Sequence, residues 1–152
     1  VKIIQDETEK ENIWTARHAA FGACAKIKPN VQTGDIIVPR NNIPLLVDEI
    51  QNICIKNNLE VCILGHVGDG NIHPHIPIDL RNMNDVDAYK RAKDEIHKAA
   101  IKLDGTLSGE HGIGCEKSKY MQIAVDGVTL NCMKQVKKVF DTKNILNPNK
   151  IF

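Results

Sequence analysis

The pattern of apolar and polar positions predicts a helix near the start of the chain. Thr8 and Glu11 have the spacing of a capping box, in which a hydroxyl and a carboxylate satisfy free backbone N–H groups. The helix is expected to run to about residue 24. Larger side chains recur near one of its faces: Ile13, Trp14, Arg17, Phe21 and Cys24. Residues 25–34 contain several turn formers and are interpreted as a loop.

The middle of the chain alternates between strand and helix patterns. Residues 35–39 (DIIVP) are rich in β-branched side chains and predict a short strand. Residues 59–66 predict a buried strand, and residues 71–79 predict a strand of alternating character. Pro74 and Pro77 indicate that this strand lies at an edge or leaves those N–H positions unpaired. Between the first two strands, apolar residues follow helical spacing: Ile43, Leu46, Val47, Ile50, Ile53 and Cys54.

The second half of the chain predicts one more helix, a last strand and a helical tail. The helix is traced by Val86, Tyr89, Ile96, Ala100 and Leu103. Gly105 ends it, and residues 106–108 are expected to form the last strand. The order of elements from 35 to 110 matches a split βαβ unit. We therefore predict an α+β fold, with a ferredoxin-like antiparallel sheet and flanking helices. Its core would span about 35–110, and a helical tail would span 114–152 with a break at Asp126 and Gly127.

Composition narrows the class of protein. The 152 residues suit one domain, and 42% hydrophobic with 26% charged residues excludes a disordered chain. Lys and Arg number 20 against 19 Asp and Glu, and this balance argues against a nucleic-acid partner. Five cysteines, none at CxxC spacing, favour a reducing cytoplasm, with peripheral membrane association through a partner left open. Because the chain starts with Val1, we interpret it as part of a longer protein.

The segment GHVGDGNIHPHI, residues 65–76, is the first candidate for chemistry. Asp69 and Gly70 favour a two-residue hairpin turn, which would place His66 directly opposite His73. Directly opposed residues have Cβ atoms about 5 Å apart, so both imidazoles could bind one metal ion. His75 would lie on the same face. The alternative is a surface hairpin whose histidines have no special role.

The segment TLSGEHGIG, residues 106–114, is the second candidate. Glu110 could be a third metal ligand and His111 a general base, because imidazole titrates near neutral pH. Adjacent residues of a regular strand point to opposite faces, so both reach one site only if the backbone bends. The nearby glycines permit such a bend. The alternative is that Glu110 and His111 are unrelated polar residues of a loop.

Both segments, together with FDTKNILNPNKIF at the end, resemble the C-terminal domain of the FAD-linked 2-hydroxyacid dehydrogenases. That family includes the glycolate oxidase flavoprotein subunit, D-lactate dehydrogenase and D-2-hydroxyglutarate dehydrogenase. The segments IWTARHAA and DIIVPRNNIP are also similar to family motifs, so the resemblance covers nearly the whole chain.

The resemblance implies specific residue roles. A divalent metal, commonly zinc, would be bound by His66, His73 and Glu110, and His111 would be the catalytic base. Arg17 would bind the substrate carboxylate, because a guanidinium pairs with it in bidentate geometry. Two further residues complete the predicted site, which has Asn71 contacting the flavin and His75 contacting the substrate.

The resemblance also implies partners. The substrate would be a small 2-hydroxy acid, FAD would be held mainly by an N-terminal domain of the same parent protein, and an electron-transfer subunit could accept the electrons. His75 stands where hydroxyglutarate-type members often have Asn, which favours glycolate or D-lactate. Without a flavin domain, we expect the isolated chain to be inactive. The local patterns alone leave two alternatives open, a metal-dependent hydrolase and a non-catalytic ferredoxin-like binding module.

Overall fold

A computed structural model of the chain describes residues 3–152. The main elements, in chain order, are α1 (Glu7–Cys24), β1 (Asn30–Thr33), β2 (Ile36–Ile37), α2 (Ile43–Lys56), β3 (Cys62–His66), β4 (Asn71–Ile78), α3 (Met83–Lys102), α4 (Met121–Ala124) and α5 (Gly127–Phe140). The α+β class predicted from the order of patterns is confirmed. The division into a core over 35–110 and a tail over 114–152 stays a prediction.

The sheet is antiparallel and is organised around β4. β3 pairs with one edge of β4, while β1 and β2 lie end to end along the other edge. The predicted last strand at 106–108 is wrong, since only Thr106 makes an isolated bridge, to Ile37. The chain leaves the sheet there because Leu107 is buried against Tyr120 and Met121 in a second apolar cluster. The single bridge occupies the place of the fourth strand in a ferredoxin-like sheet.

The two prolines of β4 do not mark an edge, because β4 is the central strand. The structure shows the other alternative for Pro74: its carbonyl accepts from the Gly34 N–H at 2.9 Å, in the gap between β1 and β2. The N–H and C=O of a residue in an antiparallel strand face the same neighbour. The backbone N–H that proline lacks would therefore point into the gap between β1 and β2, where the ladder of β4 is interrupted, so Pro74 fits in a central strand.

Two other local predictions are wrong. The cap of α1 is Asp6, which accepts from the Glu9 N–H at 2.8 Å, rather than Thr8. Asp6 and Glu9 have the same spacing as a capping box, two residues earlier in the chain, so the helix begins sooner. Residues 25–34 are not all loop, because Asn30–Thr33 pairs with the end of β4. Turn-forming residues in this segment indicated a loop, whereas pairing with the distant strand β4 makes residues 30–33 a short strand.

The two faces of β4 have different surroundings. Ile72, Ile76 and Ile78 are buried against α2 and α3, where they form the main core with the apolar faces of both helices. Asn71, His73 and His75 point to the opposite face. α1 lies on that face, where the Phe21 ring meets the His75 ring edge-on at 5.4 Å. The sheet therefore separates an aliphatic core from a layer of polar side chains.

Two helices leave apolar side chains exposed. On α1 these include Trp14 and Phe21, which are 56% and 48% exposed. On α5 no residue is buried, and the exposed apolar side chains include Val128, Val136 and Val139. Within residues 3–152, no helix combines the length and the hydropathy needed to cross a membrane.

The loop before β4 provides a test of the fold. Gly70 has φ +79°, and a Cβ there would come within 2.1 Å of the Val38 carbonyl oxygen. We expect Gly70→Ala to lower the free energy of unfolding by about 2 kcal/mol or more, because it adds both a left-handed strain and a clash. The matched control is Gly68→Ala, since a Cβ at Gly68 meets nothing within 4 Å. Denaturant titration measures both, and equal effects of the two substitutions would contradict the described backbone.

Candidate metal and substrate site

The histidine hairpin has a different register from the predicted one. His66 lies opposite Asn71, and His73 lies opposite Leu64, so residues 67–70 form a four-residue loop. Two overlapping turns close it, with the Asp69 N–H donating to the His66 carbonyl at 2.9 Å and the Gly70 N–H to the Val67 carbonyl at 3.3 Å. The predicted two-residue turn at Asp69 and Gly70 is wrong. The Gly70 carbonyl instead accepts from the N–H of Val38, just beyond β2, at 3.1 Å.

The register differs from the predicted one by two residues, which preserves the side-chain face. His66 and His73 are therefore diagonal neighbours on the same face, within reach for long side chains. Their ring centroids are 5.4 Å apart and the rings are nearly perpendicular. The two imidazoles come together as predicted, although they do not oppose each other directly.

Glu110 completes a compact cluster with these histidines. Its Oε1 lies 2.9 Å from His73 Nε2 and 3.7 Å from His66 Nε2. One ligand atom from each of the three residues lies within 4.8 Å of the others. The His73 side chain is 7% exposed, whereas those of His66 and Glu110 are each half-exposed. One oxygen and two nitrogens thus converge at an accessible position, and this donor set suits a divalent cation.

The hydrogen bond on the far side of His73 determines which nitrogen faces Glu110. His73 Nδ1 lies 3.1 Å from the Gly34 carbonyl oxygen, which can only accept, so Nδ1 carries the proton. In the neutral ring, Nε2 then presents a lone pair to a carboxylate oxygen 2.9 Å away. That contact needs a shared proton or a cation. A carbonyl that orients a histidine in this way is usual behind a metal ligand.

His111 lies beside the same cluster. Its ring stacks on the His73 ring with centroids 5.3 Å apart and an angle of 15° between planes. Its Nε2 lies 3.7 Å from Glu110 Oε1. The side chains of the adjacent residues Glu110 and His111 therefore reach one site. In a regular strand they would point to opposite faces.

A buried carboxylate explains that backbone shape. Asp35 is completely buried and accepts from the N–H groups of Gly109 at 3.1 Å, Glu110 at 3.3 Å and His111 at 3.0 Å. Ser108 Oγ and Lys117 Nζ donate to the same carboxylate. Burial by itself would raise the pKa of Asp35, but the hydrogen bonds from Ser108, Lys117 and the His111 amide hold it well below its usual range.

Asp35 and Lys117 were not among the residues predicted for the site. The available signal was an acidic residue at the start of the apolar run DIIVP, where a buried charge requires partners. Those partners lie 73 to 82 residues further along the chain. The sequence spacing gives no indication of such contacts.

His75 and Arg17 lie at the α1 side of the site. His75 is buried, and its Nδ1 is 3.0 Å from Thr33 Oγ1. Burial lowers the pKa of His75, and the nearby His73, Arg17 and His111 lower it further. Arg17 is partly buried and close enough to act electrostatically on His75. The substrate-binding roles of both residues stay predictions.

Asn71 is packed beneath the second segment of the site. A Cβ at Gly109 would lie 2.5 Å from Asn71 Cγ, so only glycine allows this contact. The Oδ1 atom of Asn71 is buried and has no hydrogen-bond partner among residues 3–152. The predicted contact of Asn71 with the flavin stays a prediction.

Comparison with known proteins identifies the family. A sequence profile described as FAD linked oxidases, C-terminal domain, matches residues 1–151. This chain belongs to the FAD-linked oxidase family. The resemblance predicted from the motifs is thereby confirmed.

Individual relatives of this FAD-linked oxidase domain carry related names. The chain is 39% identical over 152 residues to glycolate oxidase subunit GlcD of Bacillus subtilis, covering 100% of the chain and 32% of that protein. It is 33% identical over 149 residues to a probable mitochondrial D-lactate dehydrogenase of Danio rerio, covering 97% of the chain and 30% of that protein. GlcD of Escherichia coli K12 is 32% identical over 150 residues, or 99% of the chain and 30% of GlcD. The chain thus spans about a third of the length of these relatives.

The electrostatic contact between Arg17 and His75 can be tested by NMR. We expect the pKa of His75 to lie below its ordinary value of 6.5 and to rise towards that value in Arg17→Met, because one opposing positive charge is removed. Since the folded-state value is the lower one, protonation of His75 favours the unfolded chain. The free energy of unfolding is therefore unaffected by this group above pH 6.5. It decreases as the pH falls from about 6.5 through the lowered pKa of the folded state.

The measurement is the imidazole chemical shift of His75 across a pH titration. The control is Arg81→Met, since Arg81 is exposed and pairs with Asp79. An unchanged His75 titration in Arg17→Met would show that Arg17 is not where the structure places it.

Proposed function

We propose that this domain supplies the metal- and substrate-binding part of an FAD-dependent enzyme that oxidises a 2-hydroxy acid to the 2-oxo acid. Glycolate and D-lactate are the proposed substrates, because the relatives named above are glycolate oxidase subunits and a D-lactate dehydrogenase. The observation that supports the proposal most strongly is the position of Glu110 Oε1, within 3.7 Å of the Nε2 atoms of His66, His73 and His111.

His66, His73 and Glu110 would hold a divalent cation, which we propose to be zinc. Two imidazoles and one carboxylate are a common catalytic set, and the half-exposed His66 and Glu110 leave room for substrate. The closeness of His73 Nε2 and Glu110 Oε1, 2.9 Å apart, supports the fit, since one cation could accept electron pairs from both atoms. When bound, the cation would lower the pKa of a substrate hydroxyl close to it.

His111 would accept the proton of the substrate hydroxyl. Its Nε2 lies beside the three proposed ligands rather than behind them, so a hydroxyl near the cation would be within its reach. Arg17 would bind the substrate carboxylate, and the lowered pKa of the buried His75 favours the neutral form of that ring beside the guanidinium. These two contacts would fix which face of the substrate is presented for reaction.

FAD, when bound, would accept the hydride from the 2-carbon. The relatives are about three times as long as this chain, which leaves room for a flavin-binding domain in the whole protein. Such a domain is the proposed neighbour of this one, and Asn71 the proposed contact with the flavin. The names of the relatives favour oxidation over metal-dependent hydrolysis. The electron-transfer partner, the cytoplasmic location and the inactivity of the isolated domain stay predictions.

The proposal is tested with the whole protein that contains this domain. We expect reduction of an artificial electron-accepting dye with glycolate or D-lactate, and loss of that activity after the metal is removed by a chelator. Glu110→Gln should lower turnover about 100-fold or more and reduce the bound metal, because it removes one charged ligand. The control is the exposed Glu60→Gln. Dye reduction that survives both metal removal and Glu110→Gln would contradict the metal's role, and ester or amide hydrolysis without flavin would contradict the reaction.

A further inference from the structure

We propose that Asp35 is a positioning residue, which sets the metal affinity of the site by fixing Glu110 and His111 through their backbone amides. This inference rests on the proposed metal site. Asp35 lies outside the cluster of His66, His73 and Glu110 and is completely buried.

The first observation is the direction of three successive amides. Gly109, Glu110 and His111 all donate their N–H groups to the Asp35 carboxylate. Successive N–H groups of a strand point to opposite edges, so this segment cannot be a strand. Consecutive amides that converge on one anion form a nest. In this conformation the side chains of Glu110 and His111 reach the same place, with Oε1 and Nε2 3.7 Å apart.

The second observation is that the nest is secured at both ends. Ser108 Oγ donates to Asp35 and accepts from the Gly112 N–H at 2.7 Å. Lys117 Nζ lies 2.8 Å from the Asp35 carbonyl oxygen and 3.0 Å from its carboxylate. Both side chains of this ion pair are buried, at 8% and 0% exposure. The loop that carries Glu110 is therefore tied to β2 by a charge shielded from solvent.

The third observation is that the residue before Asp35 orients His73, the buried member of the cluster. The Gly34 carbonyl accepts from His73 Nδ1 at 3.1 Å and so directs Nε2 towards Glu110. A Cβ at Gly34 would come within 2.8 Å of the Pro74 ring, so the two backbones approach closely. The two residues between β1 and β2 thus each orient one proposed ligand. Gly34 orients His73, and Asp35 orients Glu110.

The test is titration of the chain with Co²⁺, followed by its visible absorption. We expect Asp35→Asn to lower Co²⁺ affinity about 10- to 100-fold and to change the absorption spectrum, because Glu110 is no longer held in place. The control is Asp85→Asn, since Asp85 also accepts from a lysine, Lys28, and from a backbone amide, but lies beyond the opposite end of β4. Asp85→Asn should cost stability without changing Co²⁺ affinity.

A further variant keeps the test decisive if Asp35→Asn does not fold, and a double substitution sharpens the test if it does. Ser108→Ala keeps the Asp35 charge and removes one donor, so it should give a smaller loss of Co²⁺ affinity in a folded chain. In a foldable Asp35→Asn chain, adding Glu110→Gln should cost much less affinity than it costs alone, because the two residues act through the same ligand. Affinity losses that simply add, or a Ser108→Ala chain that binds Co²⁺ like the unsubstituted one, would overturn the positioning role. No Co²⁺ binding by the unsubstituted chain would instead overturn the proposed metal site, and the inference with it.

Discussion

The alternation of side chains along β4 governs both the stability and the chemistry of this domain. Ile72, Ile76 and Ile78 are buried against the helices, while Asn71 and His73 face the other side, where α1 and the second segment of the site lie. A one-residue slip of β4 would place imidazoles in an aliphatic core and isoleucines in the site. Burial of the core therefore fixes which residues reach the proposed metal site.

The second constraint is the cost of burying a charge. An ionised carboxylate removed from water loses several kcal/mol of solvation unless other groups replace it. Asp35 has such replacements in three backbone amides, a hydroxyl and a buried ammonium group. These donors all come from residues 108–117, so satisfying Asp35 requires that segment to fold in one way. The same hydrogen bonds that offset the burial also shape the loop that presents Glu110 and His111.

Local pattern was enough to predict the elements whose partners are nearby or whose periodicity is strong. α2, α3 and β4 follow their apolar periodicity and were predicted correctly. The strand at Asn30–Thr33 and the loss of a strand at 106–108 depend on distant partners, so the local residues did not reveal them. The convergence of His66 and His73 was predicted despite a wrong register, because a shift of two residues preserves the face. Asp35 was missed because its partners are far away in sequence.

The central claim is that His66, His73 and Glu110 together bind one divalent cation. X-ray absorption spectroscopy at the metal edge, on the whole protein purified with its metal, tests this claim most directly. The account predicts one ion with two imidazole nitrogens at about 2.0–2.1 Å and a carboxylate oxygen at about 2.0–2.2 Å. The imidazole signal should fall by half in His66→Ala. A metal shell without imidazole, or one unchanged by His66→Ala, would contradict the account.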